Sequence, residues 1–256
     1  MSSKNLNLAL ITGTSSGVGF ACAEKFLAED WCVLGVARKA VTLTGEYYHF
    51  QSDLNKSSDR KKLIKENILP FLSNHYSQLV LINNAATLEP IKPLANLEIN
   101  DFEKALSLNV VAPCHLIQLF LQSGKFDYLT VINLSSGAAE NAYASWTAYC
   151  TSKAALSMLS RCLVKEYQVA RKSRKTNTGT LRVIDYAPGI VDTPMQTLIR
   201  TQNKQDFPEV DKFIGLYTEK QLLSPKEVAE DLFVMSVNKV LPEYLKQRFP
   251  WQDGTK

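Results

Sequence analysis

The feature that most limits how this chain can fold is a short apolar run that breaks into glycines and then into a helical pattern. Leu8, Ala9, Leu10 and Ile11 form the run with no polar side chain among them, and Thr12, Gly13, Thr14, Ser15, Ser16, Gly17, Val18 and Gly19 follow. A run this short suits a strand buried on both faces of a parallel sheet. Beyond the glycines, Cys22, Ala23, Phe26 and Leu27 recur at helical spacing. Strand, glycine turn and helix in that order seat a pyrophosphate on a helix N-terminus, where free N–H groups and the helix dipole favour an anion. The spacing is G-x-x-x-G-x-G rather than the G-x-G-x-x-G fingerprint, and no Gly-Lys-Ser/Thr follows as a Walker A loop requires.

The same alternation continues along the chain. Strand patterns fall at 8–12, 32–37, 47–51, 79–83, 129–134 and 181–186, and helical patterns at 18–28, 58–72, 101–121 and 147–167. This predicts an α/β fold, a parallel sheet with helices on both faces. No internal repeat, linker or break in composition divides residues 1–256, so one domain is expected. After Pro188 and Gly189 the pattern loosens. A long irregular stretch at 193–222 reads as a lid or binding segment at the sheet's carboxyl edge, or as a plain surface excursion. Ser224, Pro225, Lys226 and Glu227 then spell a capped helix start.

Composition narrows the partners. With 45% hydrophobic and 21% charged residues and a net charge of +4, the chain reads as an ordinary soluble protein with no call for nucleic acid or a membrane surface. The densest basic run, Arg171, Lys172, Arg174 and Lys175, reads as a solvated helix end and loop. No apolar run approaches the ~18 residues of a membrane span, and residues 1–7 lack the apolar stretch of a signal peptide. Cys22, Cys32, Cys114, Cys150 and Cys162 form no C-x-x-C pair, and they are expected to be buried free thiols in a reducing, cytoplasmic setting. His49, His75 and His115 show no ligand spacing, so no metal site is expected.

Tyr149 and Lys153 stand four residues apart in an alanine- and leucine-rich segment with no proline or glycine between Ala148 and Leu163. Residues i and i+4 share a helix face, which sets a phenol beside an ammonium group. A free phenol titrates near ~10, and a cation within a few ångströms lowers that value. The pair therefore reads as a tuned general acid or base.

Taken in order, these motifs resemble the short-chain dehydrogenase/reductase family through nearly the whole chain. The family's Thr-Gly-x-x-x-Gly-x-Gly turn is similar to Thr12 through Gly19. Its Asn-Asn-Ala-Gly motif is similar to Asn83, Asn84, Ala85 and Ala86, with alanine in the last place. Its helix asparagine matches Asn109, its strand-end serine Ser136, and its Tyr-x-x-x-Lys pair Tyr149 and Lys153. Ser136 lies thirteen residues before Tyr149 as in most relatives, with Ser135 as the alternative. The resemblance implies a doubly wound, Rossmann-type sheet and a catalytic set of Asn109, Ser136, Tyr149 and Lys153. Tyr149 would protonate the alkoxide formed by hydride transfer. Lys153 would lower the phenol's pKa and hold the nicotinamide ribose. Ser136 would bond the developing oxyanion, and Asn109 would hold a water linking Lys153 to solvent.

The resemblance also assigns the cofactor seat to Gly13, Ser15, Ser16, Gly17, Val18 and Gly19, to Asp53 and Leu54 around adenine, to Asn84 and Ala85, to Pro188, Gly189, Val191 and Thr193, and to Tyr149 and Lys153. A ribose 2′-hydroxyl calls for a carboxylate at the end of the second strand and a 2′-phosphate for a cation. That strand ends Ala37, Arg38, Lys39, which points to NADP, because arginine's planar fork of donors suits phosphate. Within the family, the stretch from Ser135 through Cys150, together with Tyr186 through Gln196, is most similar to the sepiapterin reductase and benzil reductase branch. That likeness implies an activated ketone or α-dicarbonyl as a small-molecule substrate, met by Ser136, Trp146, Tyr149, Gly189, Met195 and Gln196, and a homo-oligomer, dimer or tetramer. Trp146 could equally pack in the core. The resemblance offers Asp253 as a stand-in for the acid that anchors a pterin in that branch, although the C-terminal segment departs from the family's closing strand. An alcohol dehydrogenase running in the oxidative direction and a non-catalytic nucleotide-binding regulator stay open as alternatives.

Overall fold

The computed structural model describes residues 6–173 and 179–250; Arg174, Lys175 and Asp253 lie outside the described residues. In chain order it runs β1 (Asn7–Thr12), α1 (Gly17–Ala28), β2 (Cys32–Ala37), β3 (Tyr47–Gln51), α2 (Ser57–Leu63) and α3 (Leu69–Leu72), then β4 (Tyr76–Asn83). It continues through α4 (Ile99–Leu106), α5 (Ala112–Ser123), β5 (Phe126–Leu134), α6 (Thr147–Lys172), β6 (Thr180–Ala187), α7 (Pro194–Arg200), α8 (Val210–Thr218), α9 (Pro225–Val237) and β7 (Tyr244–Arg248). The seven strands form one sheet in the order β3-β2-β1-β4-β5-β6-β7, and every neighbouring pair is parallel.

Strand side chains alternate between two cores, as a period of two requires. Leu8, Leu10, Leu34, Leu79, Leu81, Val131 and Val183 face a core closed by Leu116, Phe120, Leu163 and Val164 of α5 and α6. Ala9, Ile11, Val33, Val80, Ile82, Ile132 and Ile184 face the other, closed by Phe26 of α1 and Leu232 and Met235 of α9. The middle of the central strands is largely apolar, as in Leu8–Ile11 and Leu79–Ile82, because both faces are covered. The chain crosses from β3 at one edge back to β4 beside β1. Sheets of this kind bind ligands at that reversal, outside the strands' carboxyl ends.

Four expectations are corrected. A seventh strand, β7, pairs with β6 from Val183↔Tyr244 to Ala187↔Arg248. It escaped a hydrophobicity reading because Tyr-Leu-Lys-Gln-Arg is an edge strand, half exposed along its length. The stretch 193–222 is not irregular but carries α7 and α8. Only Cys22 and Cys32 are buried; all five cysteines are free, and Cys114 and Cys162 are exposed. Finally, α4 and α5 join through a π turn (Ser107–Val111) into a run of 25 residues long and apolar enough to cross a membrane by composition alone. Its apolar face, including Leu116, Ile117 and Phe120, is already buried inside the protein, as in a core helix.

Candidate active site

The carboxyl ends of β1 and β4 are bolted together. Thr12 Oγ1 accepts hydrogen bonds from the backbone N–H groups of Asn84 at 3.0 Å and Ala85 at 2.9 Å, and Asn84 Nδ2 donates to Thr12 O at 2.8 Å. Close packing here demands glycine at two places. Gly13 has φ +76°, and a Cβ would stand 2.6 Å from Asn84 Nδ2. At Gly19 a Cβ would meet the Gly13 carbonyl oxygen at 2.4 Å. The first turn of α1 is left open: Ser16 makes no side-chain cap, and no acid lies in that turn. Its N–H groups and helix dipole therefore remain available to an anion.

A cleft of about 1150 Å³ runs along this edge. Gly13, Ser15, Ser16, Gly17, Val18, Ala37, Arg38, Asp53, Leu54, Asn84, Ala85, Pro188, Gly189, Val191 and Thr193 line it. Of the expected cofactor positions, Gly19 and Lys39 do not. Gly19 is buried beneath the turn and Lys39 is exposed one residue beyond Arg38. Buried Arg60 fixes the Asp53 loop by donating to Leu54 O at 2.6 Å and Asn55 O at 3.0 Å. These residues fit a nicotinamide dinucleotide: an open helix start for its pyrophosphate, Asp53 and Leu54 beside the adenine position, and a cation at the end of β2.

Tyr149, Lys153 and Ser136 line the other end of the same cleft. Tyr149 and Lys153 begin α6, both buried. Lys153 Nζ lies 5.5 Å from the centre of the Tyr149 ring and donates to Leu134 O at 2.6 Å. Ser136 caps a short turn, its Oγ accepting from Ala138 N at 3.1 Å. Burial pushes the Tyr149 phenol up to about 12, opposed by its hydrogen bond with Ser136. In the chain without cofactor, desolvation outweighs any pull from the ammonium, which lies over the ring and is bonded to a backbone carbonyl. Burial likewise lowers Lys153 to about 8, against the pull of Asp185. Ser135 also lines the cleft, with its Oγ 3.3 Å from Ser157 Oγ.

Asn109 sits in the π turn, buried, and lines no part of the cleft. Its side chain is fully engaged. Oδ1 accepts from Thr87 N at 2.9 Å, while Nδ2 donates to Thr87 O at 2.8 Å and to Ser152 Oγ at 2.9 Å. Protein partners thus take up the side chain. What the side chain holds is α6, one residue before Lys153.

The remaining wall is aromatic. Trp146 stacks on Phe207 with centroids 4.9 Å apart and planes 9° apart, and stands edge-on to Tyr149 at 5.8 Å. Tyr143 and Phe213 close around it at 4.8 Å and 5.6 Å. Leu88, Ile91, Ile199 and Phe207 bury themselves in this cluster together with Tyr149. Trp146 is thus both core and cleft wall, and Met195 and Gln196 line the cleft beside it. The roots of the 193–222 segment are stitched by Asp192 N to Leu223 O at 2.9 Å and Leu223 N to Ile190 O at 3.0 Å. Sequence reasoning missed Phe207, Phe213, Leu88 and Ile91. Their apolar side chains in otherwise polar stretches were the available signal. Among the described residues, no cluster of His, Cys, Asp or Glu could hold a metal.

This open helix start, cleft and buried Tyr-Ser-Lys group accompany a match of residues 7–204 to the family described as short chain dehydrogenase. The chain belongs to that family, on the branch that holds the benzil reductases, and is an oxidoreductase acting on CH–OH and C=O groups with a nicotinamide nucleotide. It is 37% identical over 240 residues to the benzil reductase ((S)-benzoin forming) of Bacillus cereus, covering 88% of this chain and 92% of that one. With the benzil reductase ((S)-benzoin forming) of Bacillus subtilis (strain 168) it shares 33% over 233 residues, covering 89% and 92%. Among solved structures, the KRED1-Pglu enzyme superposes with a TM-score of 0.76 at 26% identity, over 93% of this chain and 100% of that one.

Proposed function

We propose that the chain is an NADPH-dependent carbonyl reductase acting on an activated ketone or α-dicarbonyl attached to a flat ring system, benzil- or sepiapterin-like. The observation that carries this reading is the burial of Tyr149 in one cluster with Trp146, Phe207 and Phe213, which sets a proton donor against an aromatic wall. Such sites are largely apolar with a few placed polar groups. When bound, the reduced dinucleotide supplies a hydride to the carbonyl carbon. Tyr149 delivers the matching proton to the oxygen, so that C=O becomes CH–OH. With its phenol held at about 12, Tyr149 carries that proton at neutral pH. An alkoxide is a stronger base than a phenolate, so the transfer runs downhill. Ser136 donates a hydrogen bond to the developing oxyanion, an effect strengthened in a dry site. Lys153, as an ammonium ion, steadies the phenolate left behind and holds the nicotinamide ribose. Asn109 acts through its grip on α6.

NADPH rather than NADH is supported by Arg38, which lines the cleft directly after β2 with no carboxylate at that strand's end. A cytoplasmic setting is in keeping with exposed free thiols at Cys114 and Cys162. A homo-oligomer, dimer or tetramer, is in keeping with exposed Val111, Met158 and Val169 on the outer helix faces. The test is competition with NADPH among sepiapterin, benzil, a simple methyl ketone, a β-ketoacyl thioester and a ketosteroid. Benzil or sepiapterin is expected to lead in kcat/KM. A thioester or steroid ahead by tenfold, about 1.4 kcal/mol in transition-state stabilisation, overturns the substrate class.

A further inference from the structure

At the carboxyl end of the sheet a polar row crosses four strands at one level. The register places Asn83 of β4 beside Asn133 of β5, Asn133 beside Asp185 of β6, and Asp185 beside Lys246 of β7. Alternation turns this row toward α6, the face on which Leu81, Val131 and Val183 meet Leu163 and Val164. The two amides are satisfied: Asn83 Nδ2 donates to Asn133 Oδ1 at 2.8 Å, and Asn133 Nδ2 to Ser160 Oγ at 2.9 Å. Asp185 is different. It is 1% exposed, and neither carboxylate oxygen makes a well-formed hydrogen bond, although the hydroxyls of Ser135 and Ser157 stand close enough to favour its charged form. A buried carboxylate so poorly satisfied is destabilising, and an amide at this level would have matched its neighbours.

The groups around Asp185 show what it serves. From α6 come Lys153 and Ser157, from the end of β5 Ser135, and from β7 Tyr244 and Lys246. Farther out, Arg161 and Glu140 act on Tyr244, and Lys246 forms an ion pair with Glu140 at the half-exposed rim. Lys153 is the only one of these cations that is buried in the cleft wall. It has spent a hydrogen bond on the Leu134 carbonyl, and it has given none to Asp185. The interaction between them is therefore through space, charge on charge.

We infer that Asp185 is the internal counter-charge that keeps Lys153 an ammonium ion, a positioning residue that acts through that lysine. The inference rests on the part Lys153 plays in the reductase reading. Burial by itself favours a neutral amine, which could neither steady a phenolate nor attract it. A carboxylate behind the lysine, shielded from water and so from screening, offsets that loss. Burial also raises the Asp185 carboxyl above the usual range, with the Ser157 and Ser135 hydroxyls, Lys246 and Lys153 pulling it back. The two groups thus titrate as a coupled pair.

The sign of the effect follows. Lys153 is charged below its own pKa, so removing the negative charge lowers that pKa and moves the alkaline edge of activity to lower pH. Asp185→Asn keeps the shape and removes the charge. A nearby opposite charge is worth roughly one pKa unit or more, so turnover above the edge should fall about tenfold, while turnover near pH 6 changes little. Thermal stability should hold or rise, since the uncompensated carboxylate is gone. A purely structural Asp185 would do the reverse: the melting temperature would drop and the pH profile would stay in place.

Carbon-13 NMR of lysine-labelled protein reads the lysine directly, without cofactor or turnover. The Lys153 Cε titration midpoint is expected to fall by about one unit in Asp185→Asn. In wild-type protein labelled at aspartate instead, the Asp185 carboxyl signal should shift through the Lys153 midpoint. An unchanged Lys153 midpoint, or in the wild type two independent titrations, overturns the inference. A shifted midpoint in a protein that reduces no carbonyl supports the inference and breaks the reductase reading alone.

Discussion

The two ends of the cleft are built from different materials. At the dinucleotide end, backbone and glycine do the shaping: Thr12 and Asn84 tie two strand ends together, and Gly13 and Gly19 let the turn close. At the substrate end, side chains do it: Trp146, Ile199, Phe207 and Phe213, drawn from residues 146 to 213, pack around Tyr149. The first end tolerates little variation because a carbon added at Gly13 or Gly19 meets atoms at 2.6 Å or closer. The second can be reshaped by exchanging one apolar side chain for another. A fold that binds one cofactor and serves many carbonyls needs that division. Changes at one end should therefore leave the other end's constants alone.

The largest effect on cofactor affinity is expected at Gly19. In Gly19→Ala the new carbon meets the Gly13 carbonyl at 2.4 Å, and the turn must open. NADPH affinity should weaken roughly hundredfold, about 2.8 kcal/mol at 1.4 per tenfold, as read by fluorescence titration. An unchanged Kd would remove the glycine turn from the cofactor seat. Next comes Arg38→Ala, which deletes a charged donor. A hydrogen bond to a charged group is worth ~1.5–3 kcal/mol, so NADPH should bind roughly ten- to hundredfold more weakly while NADH is unaffected. A wild-type preference for NADH would contradict this directly. The smallest effect belongs to the other end. Phe207→Leu keeps the volume apolar but loses the stack on Trp146, worth ~0.5–1.5 kcal/mol. KM for benzil should rise about three- to tenfold with the NADPH Kd unmoved. If both constants rise together, the two ends are not separable.

The difference between the ends also explains how much could be read in advance. Short-range signals carried the dinucleotide half. The apolar run before Thr12 and the glycine spacing fixed strand, turn and helix within a dozen residues, and Tyr149 and Lys153 shared a helix face by spacing alone. The substrate half depends on contacts distant in sequence. Phe207 lies among Asn203, Asp206 and Glu209, so no period betrays it, yet it is fully buried. β7 was hidden for a related reason: an edge strand needs only part of one face apolar. The burial that raises the Tyr149 phenol was not legible either, because residue spacing shows the charge pair and not the desolvation. Asp185 was invisible because its burial follows from strand register, which a single sequence does not display.

The central claim is that Tyr149 donates the proton in carbonyl reduction while contributing little to cofactor affinity. Single-turnover oxidation of bound NADPH by benzil, in wild type and Tyr149→Phe with the NADPH Kd measured in parallel, tests it most directly. The account predicts an NADPH Kd within about twofold of wild type and a rate reduced ~10²–10⁴-fold, the usual worth of a positioned general acid. Retention of more than about a tenth of the wild-type rate would contradict a role of that size.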